Sequence, residues 1–369
     1  MHSSLNRKLL ASSLASLLAG ALLAACGGGD NGSSASAPTP ATQAAAKAAP
    51  QIAPGKTVLA YYSDYPNNYS DLIKSYQNFN AVSLDFWNIT SSGEIPQNDD
   101  PALAKALAFL AAKKIPAYGC ISNMADDWSP SIAHDVTSAS RAAAIANLVA
   151  LAQTKGLAGI NIDFENVAPE DRANLSGFAA DLGAALHANG LKLIISVPAF
   201  SATDENDSYN KAFDLQALGQ AVDFIQIMTY DETIPVWSPG PVAGSGWMED
   251  SLDYAVSKTA PAKILNGIPA YGNDWPEKGD GSQLFWRQTA ALIKQYGVTP
   301  RYDTKTDSLV FNYTATDGSG THTVWSENAA SIKLKTGLVN AYGLGGTSMY
   351  ALGMEDSSFW KAFNAGLQN

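Results

Sequence analysis

The stretch Gly159-Ile160-Asn161-Ile162-Asp163-Phe164-Glu165 decides how this chain is read. Apolar and polar residues alternate through it with a period of two, the pattern of a β-strand. Asn161, Asp163 and Glu165 therefore share one face, and Ile160, Ile162 and Phe164 share the other. An amide and two carboxylates in a row are costly to bury without partners or a task. Gly159 predicts a close approach of backbones where the strand begins. Asn166-Val167-Ala168-Pro169-Glu170 reads as a loop feeding a helix, so the acidic pair falls at the C-terminal end of the strand. Parallel α/β folds carry their chemistry at that end.

Working outward, short β-like runs alternate with helical patterns from residue 56 on. The strand candidates are 57–62, 81–87, 115–120, 158–164, 192–197, 222–229, 263–269 and 345–350. Helices are expected over 102–113, over 142–155 before Gly156, and from Pro169 to a stop at Gly190. Eight strands alternating with helices predict the α/β class and a (β/α)8 TIM barrel. A doubly wound open sheet is the alternative, but no Gly-rich phosphate turn follows the first strand. The longest interval lies between the last two strands. It holds a helical pattern at 283–295 and a hairpin of 308–314 and 321–325, joined by Asp317-Gly318-Ser319-Gly320. A helix over 328–342 follows. Such a β-hairpin insertion either walls a cleft above the strand ends or decorates the surface.

The first residues read as a targeting segment. Arg7 and Lys8 precede a run of mostly Leu, Ala and Ser, too short and too rich in small residues for a good membrane span. Leu23-Ala24-Ala25-Cys26-Gly27 resembles a bacterial lipobox, in which the signal is cut before the cysteine and the thiol is lipidated. The alternative is an ordinary secretory signal with an incidental cysteine. The expected organisation is a lipoprotein signal peptide (1–25), a flexible tether poor in residues to bury (26–53) and a catalytic barrel (54–369). Cys26 is the expected lipidation site and membrane contact. Gly27 in place of Asp fits the outer membrane, so an exported, envelope-anchored lipoprotein is expected.

The chain has two cysteines, so a lipidated Cys26 leaves Cys120 without a disulfide partner. Cys120 then reads as a small core residue. Net charge is −11 and no basic stripe appears, which argues against a nucleic-acid partner. Only 15 % of residues are charged, which suits a packed enzyme better than a disordered tail. The histidines (His2, His134, His187, His322) fit no metal spacing, and none accompanies a nucleophilic Ser or Cys motif. No metal and no cofactor is expected. Asp204-Glu205-Asn206-Asp207 reads as an exposed loop rather than a cation site.

Two carboxylates in one barrel push their pKa values apart and leave one protonated near neutrality. Glu165, nearest the strand end, could protonate a leaving group, with Asp163 one layer deeper. That equipment suits glycoside hydrolysis; the other reading is a structural ion-pair network. A second constellation closes the sixth strand, Gln226-Ile227-Met228-Thr229-Tyr230-Asp231-Glu232. Alternation puts Gln226, Met228 and Tyr230 on one face, an apolar floor with one hydroxyl. Tyr61, Tyr62, Trp87, Trp237, Trp275 and Trp325 are candidates for stacking on sugar, with Trp87 and Trp275 foremost. Asp85 and Asn123 also fall near strand ends.

Together the two motifs resemble glycoside hydrolase family 18, the chitinase-like barrels. The family pattern Asp-x-x-Asp-x-Asp-x-Glu reads here from Ala158 to Glu165, matching at Asp163 and Glu165. Its Met-x-Tyr-Asp reads Met228-Thr229-Tyr230-Asp231. The resemblance runs from Val58 to Asp356. It is nearest the spore-germination and cortex-lytic branch acting on peptidoglycan, carried further by Pro239-Gly240-Pro241-Val242-Ala243, Gly267-Ile268-Pro269-Ala270-Tyr271-Gly272-Asn273-Asp274-Trp275 and Ala351-Leu352-Gly353-Met354-Glu355-Asp356. It implies a retaining, substrate-assisted glycosidase acting after N-acetylglucosamine, in peptidoglycan or chitin oligomers. Glu165 would be acid and then base, Asp163 would hold the acetamide N–H, Tyr230 would orient the acetamide oxygen, and Asp231 would position the sugar. Tyr350 stands where many relatives carry a Trp under the sugar. Ala158 and Asn161 replace the first two acids of the pattern. Asn161 cannot exchange charge but could donate to Asp163 and keep it ionised. The rival from another class is an inactive, lectin-like carbohydrate-binding barrel, which typically lacks the acid glutamate.

Overall fold

A computed structural model describes residues 52–368. The expected signal peptide, Cys26 and the tether up to residue 51 lie outside the described residues.

In chain order the strands are β1 (Thr57–Tyr62), β2 (Ala81–Asn88), β3 (Ala117–Ser122), β4 (Gly159–Asp163), β5 (Lys192–Pro198), β6 (Phe224–Met228) and β7 (Ile264–Pro269). Then come β8 (Tyr271–Pro276), β9 (Ser282–Phe285), β10 (Arg301–Asp303), β11 (Ser308–Thr314), β12 (Thr321–Ser326) and β13 (Gly346–Tyr350). β1 to β7 and β13 form a closed parallel barrel, shut by the pairing of β1 with β13. Helices cover its outside, as in a (β/α)8 TIM barrel.

The period-two alternation does what it predicts. Ile160 and Ile162 are fully buried under the helical layer, and Phe164 stacks on Phe178 of the helix Arg172–Ala188 with ring centroids 6.0 Å apart. Each such side chain contributes roughly 1.5–3 kcal/mol by leaving water. Gly159 answers its prediction: a Cβ there would lie 2.0 Å from the carbonyl oxygen of Lys192 on β5. A side chain at this position would push β4 off β5 and displace the acidic pair.

The helical punctuation also holds. The helix Arg141–Lys155 ends on Gly156 in the left-handed region (φ 65°). The helix Pro101–Lys113 starts with proline after Asp100, whose carboxylate accepts from the amide of Ala102. The stretch after Pro169 opens as a 3-10 turn before the α-helix begins at Arg172. β3 starts two residues later than expected, at Ala117.

The insertion is larger than a hairpin. β10, β11, β12, β8 and β9 form one antiparallel five-stranded sheet in that order. A single residue, Ala270, separates β8 from barrel strand β7, and β8 was not among the expected strands. Residues 283–285, expected within a helix, belong to β9; the helix itself is Trp286–Tyr296.

Candidate active site

The inward faces of the strands meet in a layer of hydrogen-bonded polar groups. The Asn161 amide donates to Tyr61 Oη (2.9 Å) and Ser83 Oγ (3.0 Å), and its oxygen accepts from Ser196 Oγ (3.2 Å). Tyr61 Oη donates to Gln226 Oε1 (3.1 Å), and Gln226 Nε2 donates to Ser348 Oγ (3.0 Å). These residues are fully buried or nearly so, and their pairing removes the penalty of burying them. The layer fixes a floor in the middle of the barrel.

A cavity of about 550 Å³ opens above this floor, at the C-terminal ends of the strands. Tyr61, Asp163, Glu165, Met228, Tyr230, Asp231 and Tyr350 all line it. The strands and the turns just beyond their ends bring these seven together, and Asp85 and Trp237, also sequence candidates, line the same cavity. Tyr350 packs between Tyr61 (5.5 Å) and Tyr230 (5.6 Å), making an aromatic bed. Gly267 makes room for it: a Cβ there would stand 2.8 Å from the Tyr230 ring.

Glu165 is 4 % exposed, and burial pushes its carboxyl up to about 7, with Asp231 and Asp85 adding to the rise. Its Oε2 accepts from Tyr209 Oη at 2.6 Å, which opposes the rise. Asn123 clamps the backbone of the same residue. It accepts from the Glu165 N–H (3.0 Å) and donates to the Glu165 carbonyl (2.8 Å). Glu165 is thus a held carboxyl able to carry a proton near neutral pH. Asp231 adopts a left-handed backbone (φ 62°), and burial raises its carboxyl to about 6 against the donation from Tyr271 Oη (2.7 Å). Asp163 Oδ2 lies 3.9 Å from the Cys120 thiol.

Five expectations need correction. Asn161 does not donate to Asp163: its amide is committed to Tyr61 and Ser83, with Cys120 Sγ at 3.7 Å. It lies in the floor, fully buried, and the Cys120 sulfur stands between it and Asp163. Trp87 is buried on the outward face, because a bulge between Asp85 and Trp87 shifts the β2 register. It lies against the space left beside Gly119, with Leu157 and Ile160. Trp275 belongs to β8 in the added sheet, buried against Gly281, and does not line the cavity. Tyr62 stacks on Phe86, and Trp325 of β12 lies under Arg301; neither lines the cavity.

Among the loop residues, sequence reasoning named Trp237 and missed the rest. Asp204, Asp207, Tyr209 and Asn210 come from residues 199–214 after β5 and line the cavity, so this acidic loop is more than a solvated surface turn. Ile234, Val236 and Trp237 follow β6 and form a further wall; Trp237 is 49 % exposed. The added sheet lines no part of the cavity. It braces this wall instead, through Asn273 Nδ2 to the Thr233 carbonyl (2.9 Å) and the Ser245 N–H to the Thr306 carbonyl (3.0 Å).

A serine–histidine–aspartate alignment occurs away from the cavity, on the hairpin. Ser319 Oγ is 2.8 Å from His322 Nε2, and His322 Nδ1 is 2.7 Å from Asp274 Oδ1. The Ser319 hydroxyl already donates to Asp317, which draws its proton away from the imidazole. This is a clasp for the turn. Among the described residues, no group of three or more His, Cys, Asp or Glu is arranged to hold a metal ion.

A closed parallel barrel with a near-neutral carboxyl at the end of its fourth strand is the framework of a barrel hydrolase. The chain matches Glycosyl hydrolases family 18 over residues 57–355 and belongs to that family; it is a glycoside hydrolase. It is similar to the crystal structure of a chitinase from Chromobacterium violaceum, with a TM-score of 0.83 and 59 % identity, covering 85 % of this chain and 99 % of that one. It is 37 % identical to the uncharacterized glycosylase YvbX of Bacillus subtilis, over 88 % of this chain and 94 % of the relative. It is 32 % identical to the Bacillus anthracis cortical fragment-lytic enzyme, over 59 % of this chain and 51 % of the relative.

Proposed function

We propose that this glycosidase cleaves β-1,4 bonds after N-acetylglucosamine by a retaining, substrate-assisted mechanism. The observation that carries the proposal is Glu165, a carboxyl pushed up to about 7 that lines the cavity together with Asp163, Tyr230 and Asp231. In the first step the acetamide oxygen of the substrate attacks the anomeric carbon. The glycosidic C–O bond breaks, and the Glu165 proton passes to the leaving oxygen. Asp163 accepts the acetamide N–H and balances the oxazolinium charge. Tyr230 donates to the acetamide oxygen, and Asp231 holds the sugar. In the second step water attacks the anomeric carbon, its proton returns to Glu165, and the ring reopens. Groups held in place before reaction supply much of the barrier reduction.

The lining favours chitin-type oligomers over peptidoglycan. Asp85, Asp163, Glu165, Asp204, Asp207, Asp231 and Glu232 line the cavity, and no Lys, Arg or His is among its described lining residues. The carboxylates of muramic acid and stem peptides would meet a field of their own sign. A cleavage assay on chitotetraose beside purified sacculi tests both parts, with NMR reading the first-formed anomer. Retention and faster turnover of chitotetraose are expected. An inverted product, or efficient cleavage of glycans lacking the 2-acetamido group, would sink the mechanism. The lectin-like alternative is disfavoured by the presence of Glu165.

We also infer export and lipidation at Cys26, which would hold the enzyme at the envelope, with the outer membrane as the destination. Cys26→Ser should move the protein from the membrane fraction to the soluble fraction; an unchanged distribution would overturn this.

A further inference from the structure

Tyr209 lies outside both motifs that identify the family, 44 residues beyond Glu165. It belongs to residues 199–214, between β5 and the helix Leu215–Ala221, and is half-buried in the cavity wall. Its hydroxyl donates to one oxygen of Glu165, Oε2, at 2.6 Å. Burial and the adjacent carboxylate raise the phenol well above its ordinary value, so it stays a donor throughout the working range.

The segment that carries Tyr209 is braced from several sides. The Arg172 guanidinium donates to the Lys211 carbonyl (2.7 Å) and pairs with Asp214 (2.9 Å). Asn210 Nδ2 donates to the Asp204 carbonyl (3.1 Å), and Asp204 accepts from the Ser201 hydroxyl (2.9 Å). Tyr254 on the helix Ser245–Lys258 donates to Glu205. Together these bonds hold the phenol where a free loop would let it swing away.

We propose that Tyr209 is a positioning residue for the general acid, holding Oε2 of Glu165 so that Oε1 carries the transferable proton. This deepens the proposed mechanism and rests on Glu165 being its acid. An oxygen that already accepts a short hydrogen bond is the poorer site for the proton, so protonation is directed to Oε1. When that proton leaves for the glycosidic oxygen, the O–H of Tyr209 stabilises the carboxylate that remains. The phenol keeps its own proton, so no further group titrates and the step balances between Glu165 and the leaving oxygen. When water is later deprotonated, the same bond keeps Oε1 as the accepting atom.

The test is Tyr209→Phe beside Glu165→Gln, with kcat and KM on chitotetraose followed across pH. Loss of a hydrogen bond to the charged form raises the Glu165 pKa, so the alkaline limb of kcat/KM should move up by about one unit. At the optimum, kcat should fall roughly tenfold with KM little changed, because the bond strengthens as charge develops. A loop that merely loosened would raise KM and leave the limb in place. Should Glu165→Gln abolish turnover while Tyr209→Phe leaves the limb unmoved, the Tyr209 role is wrong and the acid assignment stands. Should Glu165→Gln keep full turnover, the acid assignment itself falls.

Discussion

Glu165 and Glu327 are both buried glutamates, 4 % and 2 % exposed, and burial raises both carboxyls. Glu327, just past β12, faces the ammonium of Lys335 at 2.6 and 2.7 Å, and Lys335 is itself fully buried. Glu165, just past β4, has the neutral Tyr209 as its hydrogen-bond donor and lines an open cavity. One carboxylate is matched by a cation and closed off. The other is left without a matching cation where a substrate can reach it. Burial alone therefore does not distinguish structure from function; the charge of the partner and access to a cavity do.

The widest separation should come from Glu165→Gln. Turnover should fall roughly 10²–10⁴-fold, the usual contribution of a general acid. Stability should move the other way. A carboxyl whose folded pKa is raised from 4.5 to about 7 destabilises the fold progressively as pH rises through that window. Removing it should restore at most about 3 kcal/mol above pH 7, read by denaturant melts at pH 4.5 and 8. A variant that loses activity and stability together would break the comparison.

Lys335→Met should do the reverse. It leaves the Glu327 carboxylate buried beside an apolar chain, at a cost of roughly 3–5 kcal/mol. Denaturant melts should show that loss, while kcat of the folded fraction stays unchanged. Adding Glu327→Leu should recover much of it, because two apolar groups leave no orphaned charge. Failure of the double variant to recover would mean the pair does more than balance its own charges.

Tyr230→Phe should lower kcat by roughly 10- to 100-fold with a smaller effect on binding, if its hydroxyl contact tightens during reaction. Steady-state kinetics on chitotetraose would reveal a purely structural role as equal activity. The smallest effect is expected from Asn161→Asp. A carboxyl in the floor would titrate near Asp163 across the Cys120 sulfur, and the pH–rate profile should shift by less than about one unit. An identical profile would show the floor to be electrically isolated from the cavity.

The barrel was legible because its strands obey one period and its helices carry ordinary stops such as Gly156. The added sheet was half legible. Its central hairpin, β11 and β12, shows alternation around a Gly-rich turn. β8 was not among the expected strands, since one residue, Ala270, divides it from β7. The two aromatics chosen for strand-end positions failed for local reasons. A bulge turned Trp87 outward, and β8 carried Trp275 into another sheet.

By itself, the sequence determined the eight-stranded barrel and the end of it that carries Asp163, Glu165, Tyr230 and Asp231. Period-two alternation is a local property, and motif spacing survives folding unchanged. Tertiary structure alone decided who answers Glu165. Tyr209 arrives from 44 residues away on a braced loop, Asn123 clamps the backbone from β3's end, and Asn161 is drawn into the floor by Tyr61 and Ser83. Those partners depend on how the loops close over the strand ends, and no period in the chain records that.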